Sequence, residues 1–418
     1  MNERERAIVE SVDSLQEEMI DFLQRMIRTN SENPPGNYEA ISDVIAEAFR
    51  SIGAEVEIID APESESTQRN LPHPRRNVIG RLSSGKPGPR VMLNGHLDTV
   101  PIGNLQAWTV EPLGGEVRDN RVFGRGAVDS KGRIAAYWCA AAALLRAGEL
   151  PAGELLLVAT CDEETGGELG AGWLARTQPD LSDFAIVEGY NRPVVRASSG
   201  ILWLDIEVRG LASHASWPWR GHNAVVDASK VIHELEELRV ELESQRGDIP
   251  GIPHTTMSVG TIAGGSKVNV VPDRCVLTVD FRVMPGVETS AIRQQVEKIL
   301  DRLNDADPDF SAEIRVIQEQ HPMVTDEDSL IVETITNVVE EVTGERPAIE
   351  GEPGGTDARW FNQAGMSTVN YGSGTPEGGN FHAADENVGI DQLLEAAKVC
   401  GVSSLRLLLA GSLDRKDE

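Results

Sequence analysis

Cysteine is scarce in this 418-residue chain: Cys139, Cys161, Cys275 and Cys400 lie far apart, with no Cys-x-x-Cys pair. That spacing fits neither a zinc ribbon nor a disulfide framework, so the four read as buried free thiols of a cytoplasmic protein. Basic residues are also in deficit, with 38 Lys and Arg against 67 Asp and Glu, a net charge of −29. Such a surface repels phosphate backbones and anionic headgroups, which argues against nucleic acid and membrane as partners. Long apolar runs are missing too. The longest lies between Arg133 and Arg146, well short of the roughly 20 residues that cross a bilayer. The charged N-terminus has no apolar segment of the kind a signal peptide carries, and no repeat or low-complexity tract interrupts the chain.

What remains is an ordinary globular composition, 40% hydrophobic and 25% charged. At roughly 150 residues per domain the length predicts two or three domains, and a single core stops growing beyond about 250–300 residues. Ile8, Val12, Leu15, Met19, Leu23 and Met26 recur at steps of three and four, predicting one amphipathic helix over the first ~30 residues. Asn33-Pro34-Pro35-Gly36 ends it, and a second helix is expected from about Tyr38 to Ser51. Short apolar strands at 56–59, 78–82, 91–94, 154–160 and 184–187, with an Ala-rich helix over 130–147, predict an α/β domain around a mostly parallel sheet. From about Gly200 the order becomes β-α-β-β-α-β, which predicts an inserted ferredoxin-like unit. The expected division is 1–198 and 319–418 for the α/β domain, with 199–318 as the insert.

Several local patterns lead nowhere. Gly80-x4-Gly85-Lys86 resembles a phosphate loop, but Pro87 stands where Ser or Thr would bind magnesium, and no helix can start there. Ser83-x-x-Lys86 lacks the companion motifs of a serine β-lactamase. His233-Glu234 has no second histidine at the spacing of a zinc helix.

Four segments carry chemistry: Asn94-Gly95-His96-Leu97-Asp98, Gly124-Arg125-Gly126-Ala127-Val128-Asp129-Ser130-Lys131-Gly132, Cys161-Asp162-Glu163-Glu164-Thr165-Gly166-Gly167 and Val187-Glu188-Gly189. Each follows a predicted strand or a glycine-rich turn, and ligands of open α/β sheets bind beyond the carboxyl ends of strands. Gathering so many acids would cost several kcal/mol unless cations neutralise them. A mixture of His and carboxylates suits zinc, manganese or cobalt better than calcium. In His96-x-Asp98 the imidazole can ligate while the carboxylate holds its far nitrogen. Glu163 and Glu164 should point different ways, one free to ligate and the other to move protons.

Together these segments resemble the M20 metallopeptidase family, which includes acetylornithine deacetylase, succinyl-diaminopimelate desuccinylase, aminoacylase and carboxypeptidase G-type enzymes. The likeness continues in His214-x-Ser216-x-Pro218-x-x-Gly221-x-Asn223-Ala224, Asn269-Val270-Val271-Pro272, Asp280-x-Arg282, Gly354-Gly355-Thr356-Asp357-Ala358-Arg359 and His382-x-x-Asp385-Glu386. The resemblance implies two divalent ions, zinc ahead of cobalt or manganese, bridged by Asp129. His96 and Glu188 would complete one site, and Glu164 and His382 the other. It further implies Glu163 as general base and acid toward a metal-bridging hydroxide, with Asp98 supporting His96. His214 would stabilise the oxyanion, with Arg282 and Asn269 holding a substrate carboxylate beside Gly355 and Thr356. The inserted unit would be a lid through which the protein forms a homodimer. Ser130 stands where many relatives carry Met, and Gly189-Tyr190-Asn191 departs from the deacylase pattern, so the motifs single out no one substrate. The expected activity is hydrolysis of the amide bond of an N-acyl amino acid or similar carboxylate-bearing small molecule. A dipeptidase or carboxypeptidase, another C–N hydrolase such as one releasing an aryl amine, and a non-catalytic binding protein are the alternatives. Trp203, Trp217 and Trp219 read as packing residues.

Overall fold

A computed structural model describes residues 1–148, 150–375 and 378–410. The chain divides into two compact units, one of Met1–Arg196, Thr325–Ile349 and Thr356–Glu418, the other of Ala197–Val324 and Glu350–Gly355.

The larger unit is built on a mixed sheet. Its strands run in the order Glu55–Asp60, Arg76–Ser83, Glu154–Thr160, Arg90–His96, Phe184–Val187, Ser367–Asn370 and Val194–Ser198. Parallel pairing, expected across most of the sheet, joins the four central strands from Glu154–Thr160 to Ser367–Asn370. The first two strands pair antiparallel with each other and with this block. Consecutive parallel strands of this block are joined by long connections, with the helix Lys131–Arg146 between Arg90–His96 and Glu154–Thr160 and the helix Ala171–Thr177 between Glu154–Thr160 and Phe184–Val187. The strands Arg90–His96 and Glu154–Thr160 are buried along all but their first residue, which is why they read as continuous apolar runs.

The helix Lys131–Arg146 is buried on nearly every side, packed between the strand Arg90–His96 and the helix Ile390–Ala410. Alanine at 135, 136 and 140–143 keeps it slim enough for that close approach. At the N-terminus, the one expected helix is two, Glu3–Ser14 and Gln16–Arg28, joined at Leu15. The periodicity survives the joint because Leu15 stays buried with Ile8, Val12, Met19, Leu23 and Met26. A small sheet of Glu116–Arg118, Arg121–Phe123 and Asn387–Gly389 was not expected. It matters for the site, since pairing Asn387 with Phe123 brings the segment before Asn387 beside the turn that precedes Asp129.

The smaller unit has the order β-α-β-β-α-β, from the strand Gly200–Arg209 through the helices Ala224–Ser244 and Thr289–Ala306 to the strand Ser311–Gln320. Its four-stranded sheet is antiparallel throughout, in the order Thr256–Gly264, Arg274–Val283, Gly200–Arg209, Ser311–Gln320. Leu202, Leu204, Ile206 and Val208 alternate onto one face and share a core with Val231, Leu235, Ile292 and Val296 of the two helices. Trp217 and Trp219 are not packing residues: they are 49% and 75% exposed.

Candidate metal centre and its surroundings

Parallel pairing sets the carboxyl ends of the central strands side by side. His96 closes one strand and lies opposite Thr160, which ends the next, while Val187 ends a third and is followed by Glu188. Asp129 arrives at the entrance to the helix Lys131–Arg146. Ser130 ties these two pieces together, its hydroxyl donating to the His96 carbonyl at 2.9 Å and accepting from the His96 N–H at 2.9 Å.

Asp129 lies between two imidazoles. Its Oδ1 is 3.2 Å from His96 Nε2, and its Oδ2 is 3.3 Å from His382 Nε2. Glu164 Oε2 is 3.2 Å from His382 Nε2, and Glu164 Oε1 accepts from the Val100 N–H at 3.2 Å. Glu163 Oε2 is 4.0 Å from His96 Nε2, so the adjacent acids do face different rings. The ligand atoms of His96, Asp129 and Glu164 all lie within 4.8 Å of one another. Glu188 is fully buried and within electrostatic reach of His96, Asp129 and Arg133. Its Oε1 accepts from the Asp357 N–H at 3.3 Å, and its Oε2 has no hydrogen-bond partner among the described residues.

The electrostatics show a deficit of positive charge. Burial, together with Asp357, Glu164 and Glu188, pushes the Glu163 carboxyl well above the usual range against the pull of His96. Burial likewise raises Glu188. Burial disfavours the charged form of His96, yet hydrogen bonds to Asp129 and Asp98 outweigh it and hold the ring well above its ordinary pKa. Hydrogen bonds to Asp129 and Glu164 push His382 up to about 10. The acids thus draw protons onto both imidazoles, each proton serving where a cation would. An orphaned carboxylate oxygen, two histidine nitrogens and a shared aspartate form a donor set that fits transition-type divalent ions.

The supporting residues come from distant parts of the chain. Asp98 was expected to hold the far nitrogen of His96 with its carboxylate. His96 Nδ1 lies 3.5 Å from the carboxylate Oδ1, within ion-pair distance, and 3.0 Å from the Asp98 backbone carbonyl. The carboxylate also accepts from the N–H groups of Glu163 and Glu164 at 3.2 and 3.3 Å and from Asn33 Nδ2 at 3.2 Å. It therefore anchors the turn that presents the two glutamates. Asp162, at a left-handed φ of 62°, starts that turn, held by Arg75 at 2.8 Å and the Tyr38 hydroxyl at 2.6 Å. Burial and the nearby Asp98 push Asp162 up to about 6. Gly167, at φ 70°, ends the turn, and a Cβ there would fall 2.3 Å from Asp357 Oδ1. Glu386 Oε1 accepts from the N–H groups of Val128 and Asp129, both at 3.1 Å, and its Oε2 accepts from Arg125 at 2.6 Å. Asn33, Tyr38, Arg75, Asp162 and Arg125 carried no role in the motif reading; the only signal for them was their nearness to a glycine- or proline-rich turn.

Thr356 belongs to the same unit, its Oγ1 accepting from Asn370 Nδ2 at 2.7 Å; Asn370 Nδ2 also donates to the Glu188 carbonyl at 2.7 Å. The other expected substrate-side residues lie in the smaller unit. His214 and Asn269 are brought together there, as the short strand Ser213–His214 pairs with Val270–Val271 and the Ala215 N–H donates to the Asn269 carbonyl. The Ser216 N–H donates to His214 Nδ1 at 3.1 Å, which assigns the proton of a neutral ring to Nε2. Arg282 pairs with Asp280, its Nη2 donating to Oδ2 at 3.1 Å and its Nε lying 3.1 Å from Oδ1. Gly355 ends the segment Glu350–Gly355 of that unit.

The pattern of peptidase family M20/M25/M40 matches residues 92–401. The chain is 33% identical over 326 residues to an acetylornithine deacetylase of Myxococcus xanthus, covering 77% of this chain and 81% of that one. It is 27% identical over 336 residues to a succinyl-diaminopimelate desuccinylase of Rhodospirillum centenum, covering 77% and 82%. In fold it is similar to the M20 family metallo-carboxypeptidase Sso-CP2 of Sulfolobus solfataricus, with a TM-score of 0.75, 19% identity and 98% and 99% of the two chains covered. A Bacillus subtilis protein described as a dinuclear metal binding peptidase from the M20 family superposes with a TM-score of 0.70 at 14% identity, covering 95% and 99%. With the family pattern spanning both the histidine–carboxylate cluster and the chain around it, this protein belongs to peptidase family M20/M25/M40 and is a hydrolase of that metallopeptidase and amidohydrolase kind.

Proposed function

We propose that this hydrolase cleaves the amide bond of an N-acylated amino acid, or of a similar small molecule bearing a carboxylate. The observation that carries the reading is Asp129, set between His96 and His382 with Glu163 and Glu164 facing one ring each. One divalent ion would be held by His96, Asp129 and Glu188, and a second by Asp129, Glu164 and His382, with zinc preferred over cobalt or manganese. Bound ions supply Lewis acidity toward the carbonyl oxygen and make water acidic enough to attack near neutral pH.

The chain's own side chains do the rest. Glu163 accepts the proton of the attacking water at a carboxylate oxygen and delivers it to the leaving nitrogen. Burial suits it to carry that proton. The Nε2–H of His214 donates to the negative charge on the carbonyl oxygen, an interaction that strengthens only in the transition state. Arg282, which donates through Nη2 to Asp280, offers its remaining N–H groups together with Asn269 to the substrate carboxylate. Gly355 and Thr356 are the remaining residues assigned to substrate binding in this proposal. The smaller unit serves as lid and as the interface of a homodimer, and four buried unpaired thiols support a cytoplasmic setting.

A dipeptidase would use the same machinery, so substrate decides between the two. A panel of N-acetyl, N-succinyl and N-aroyl amino acids beside dipeptides, assayed with zinc-, cobalt- and manganese-loaded protein, should show turnover of the acylated compounds. That turnover should be lost on chelation and restored by metal. Dipeptide cleavage alone would move the protein to the second reading, and turnover unaffected by chelation would overturn both.

A further inference from the structure

Arg133 is a buried guanidinium that the reaction scheme does not use. It is 4% exposed, one turn into the helix that Asp129 introduces. Its Nη1 donates to Asp129 Oδ1 at 2.9 Å. It also acts electrostatically on Glu188. Tyr190 and Phe381 cage it, with ring centroids 5.8 and 5.7 Å from the guanidinium carbon and an edge-on contact between the two rings. These contacts and the Asp129 hydrogen bond hold the cation beside the cluster and out of water.

The two oxygens of Asp129 therefore differ. Oδ1 faces both His96 Nε2 and Arg133 Nη1, whereas Oδ2 faces His382 Nε2. An ion on the His96–Glu188 side must share Oδ1 with a fixed positive charge that also attracts Glu188. An ion on the Glu164–His382 side takes an oxygen that the guanidinium leaves alone. A like charge held in a low-dielectric site weakens cation binding there.

We propose that Arg133 makes the two metal sites unequal, so that the Glu164–His382 site fills first and the His96–Glu188 site fills only at higher metal concentration. This rests on the ligand assignment proposed above. Arg133 is thus a positioning residue that sets metal stoichiometry through Asp129.

The test is titration of the metal-free full-length protein with cobalt or zinc, read by absorption spectra and by competition with a chromogenic chelator, independently of turnover. The wild type should bind one equivalent at least about tenfold more tightly than the second. Arg133→Met removes the charge while keeping an apolar chain in the cage, and should bring the two affinities together by tightening the second. Arg133→Lys keeps the charge and should preserve the gap, which separates electrostatics from simple loss of packing. Glu188→Gln should abolish the weak phase and leave the tight one. Two equivalents of equal affinity in the wild type overturn the inequality, and a gap unchanged in Arg133→Met overturns Arg133 as its cause; neither touches the ligand assignment. A wild type that binds no metal overturns the ligand assignment itself.

Discussion

Glu163 and Glu164 are neighbours with different freedom. Both oxygens of Glu164 are engaged, one by the Val100 N–H and the other by His382. Among the described residues the Glu163 carboxylate pairs with His96 alone, at 4.0 Å, and burial favours a proton on it. Glu163→Gln keeps shape and removes the base. It should still bind metal and substrate, with kcat falling by about 10²–10⁴ and KM little changed. Metal content and steady-state rates check this, and near-normal turnover would remove Glu163 from the role. The acids and histidines of the cluster were legible because each sits in a short motif at a strand end. Their supports were not. Arg125 and Glu386 are 261 positions apart, and Tyr38 and Asp162 are 124 apart. No local pattern records such a pairing, because it exists only once the sheet has set the strand ends together. For Asp98 the nearness to His96 was legible, but only the folded turn shows that two backbone N–H groups also donate to its carboxylate.

Elements follow the same division. Buried strands announced themselves as apolar runs, and 154–160 and 184–187 fall where expected. The three-residue strands Glu116–Arg118 and Asn387–Gly389 are too short for any periodicity, so the sheet that delivers His382 was invisible. Helix-to-helix ties were equally hidden. Arg406, on the helix Ile390–Ala410, donates to Glu5 at 2.8 Å and to Glu341 at 2.8 Å, joining it to the helices Glu3–Ser14 and Leu330–Thr343. Hydrogen bonds from Arg406 lower the Glu5 carboxyl, and with the N-terminal ammonium they bring Glu341 down to about 2 from 4.5. A carboxyl lowered by folding contributes stability above its unfolded pKa and loses it as pH falls through the folded value. Arg406→Met should therefore cost about 1–2 kcal/mol at pH 7, the partial exposure of the pair holding the figure down. The gap to wild type should close between about pH 4.5 and pH 2. Urea unfolding at pH 7 and pH 3 measures it, and a gap independent of pH would mean the helices are tied by packing instead.

For the molecule as a whole, the decisive feature is that each unit carries its own continuous core. The first gathers the N-terminal helices, the Ala-rich helix and the large sheet; the second gathers Leu204, Ile206, Leu235, Phe281 and Val296. All the proposed metal ligands belong to the larger unit. A ligand that binds only the native state stabilises it by RT ln(1 + [L]/Kd), about 2.7 kcal/mol at a hundredfold excess over Kd. Metal should therefore raise the melting of the larger unit and leave that of the smaller one in place. Phe281 is fully buried in the smaller core, and Phe281→Ala should cost about 3–5 kcal/mol there through lost contacts and a cavity. Calorimetry of the full chain should then show two transitions, one moved by zinc alone and the other by Phe281→Ala alone. A single transition displaced by both would mean that the units unfold as one body, with metal bound in one unit stabilising the core of the other.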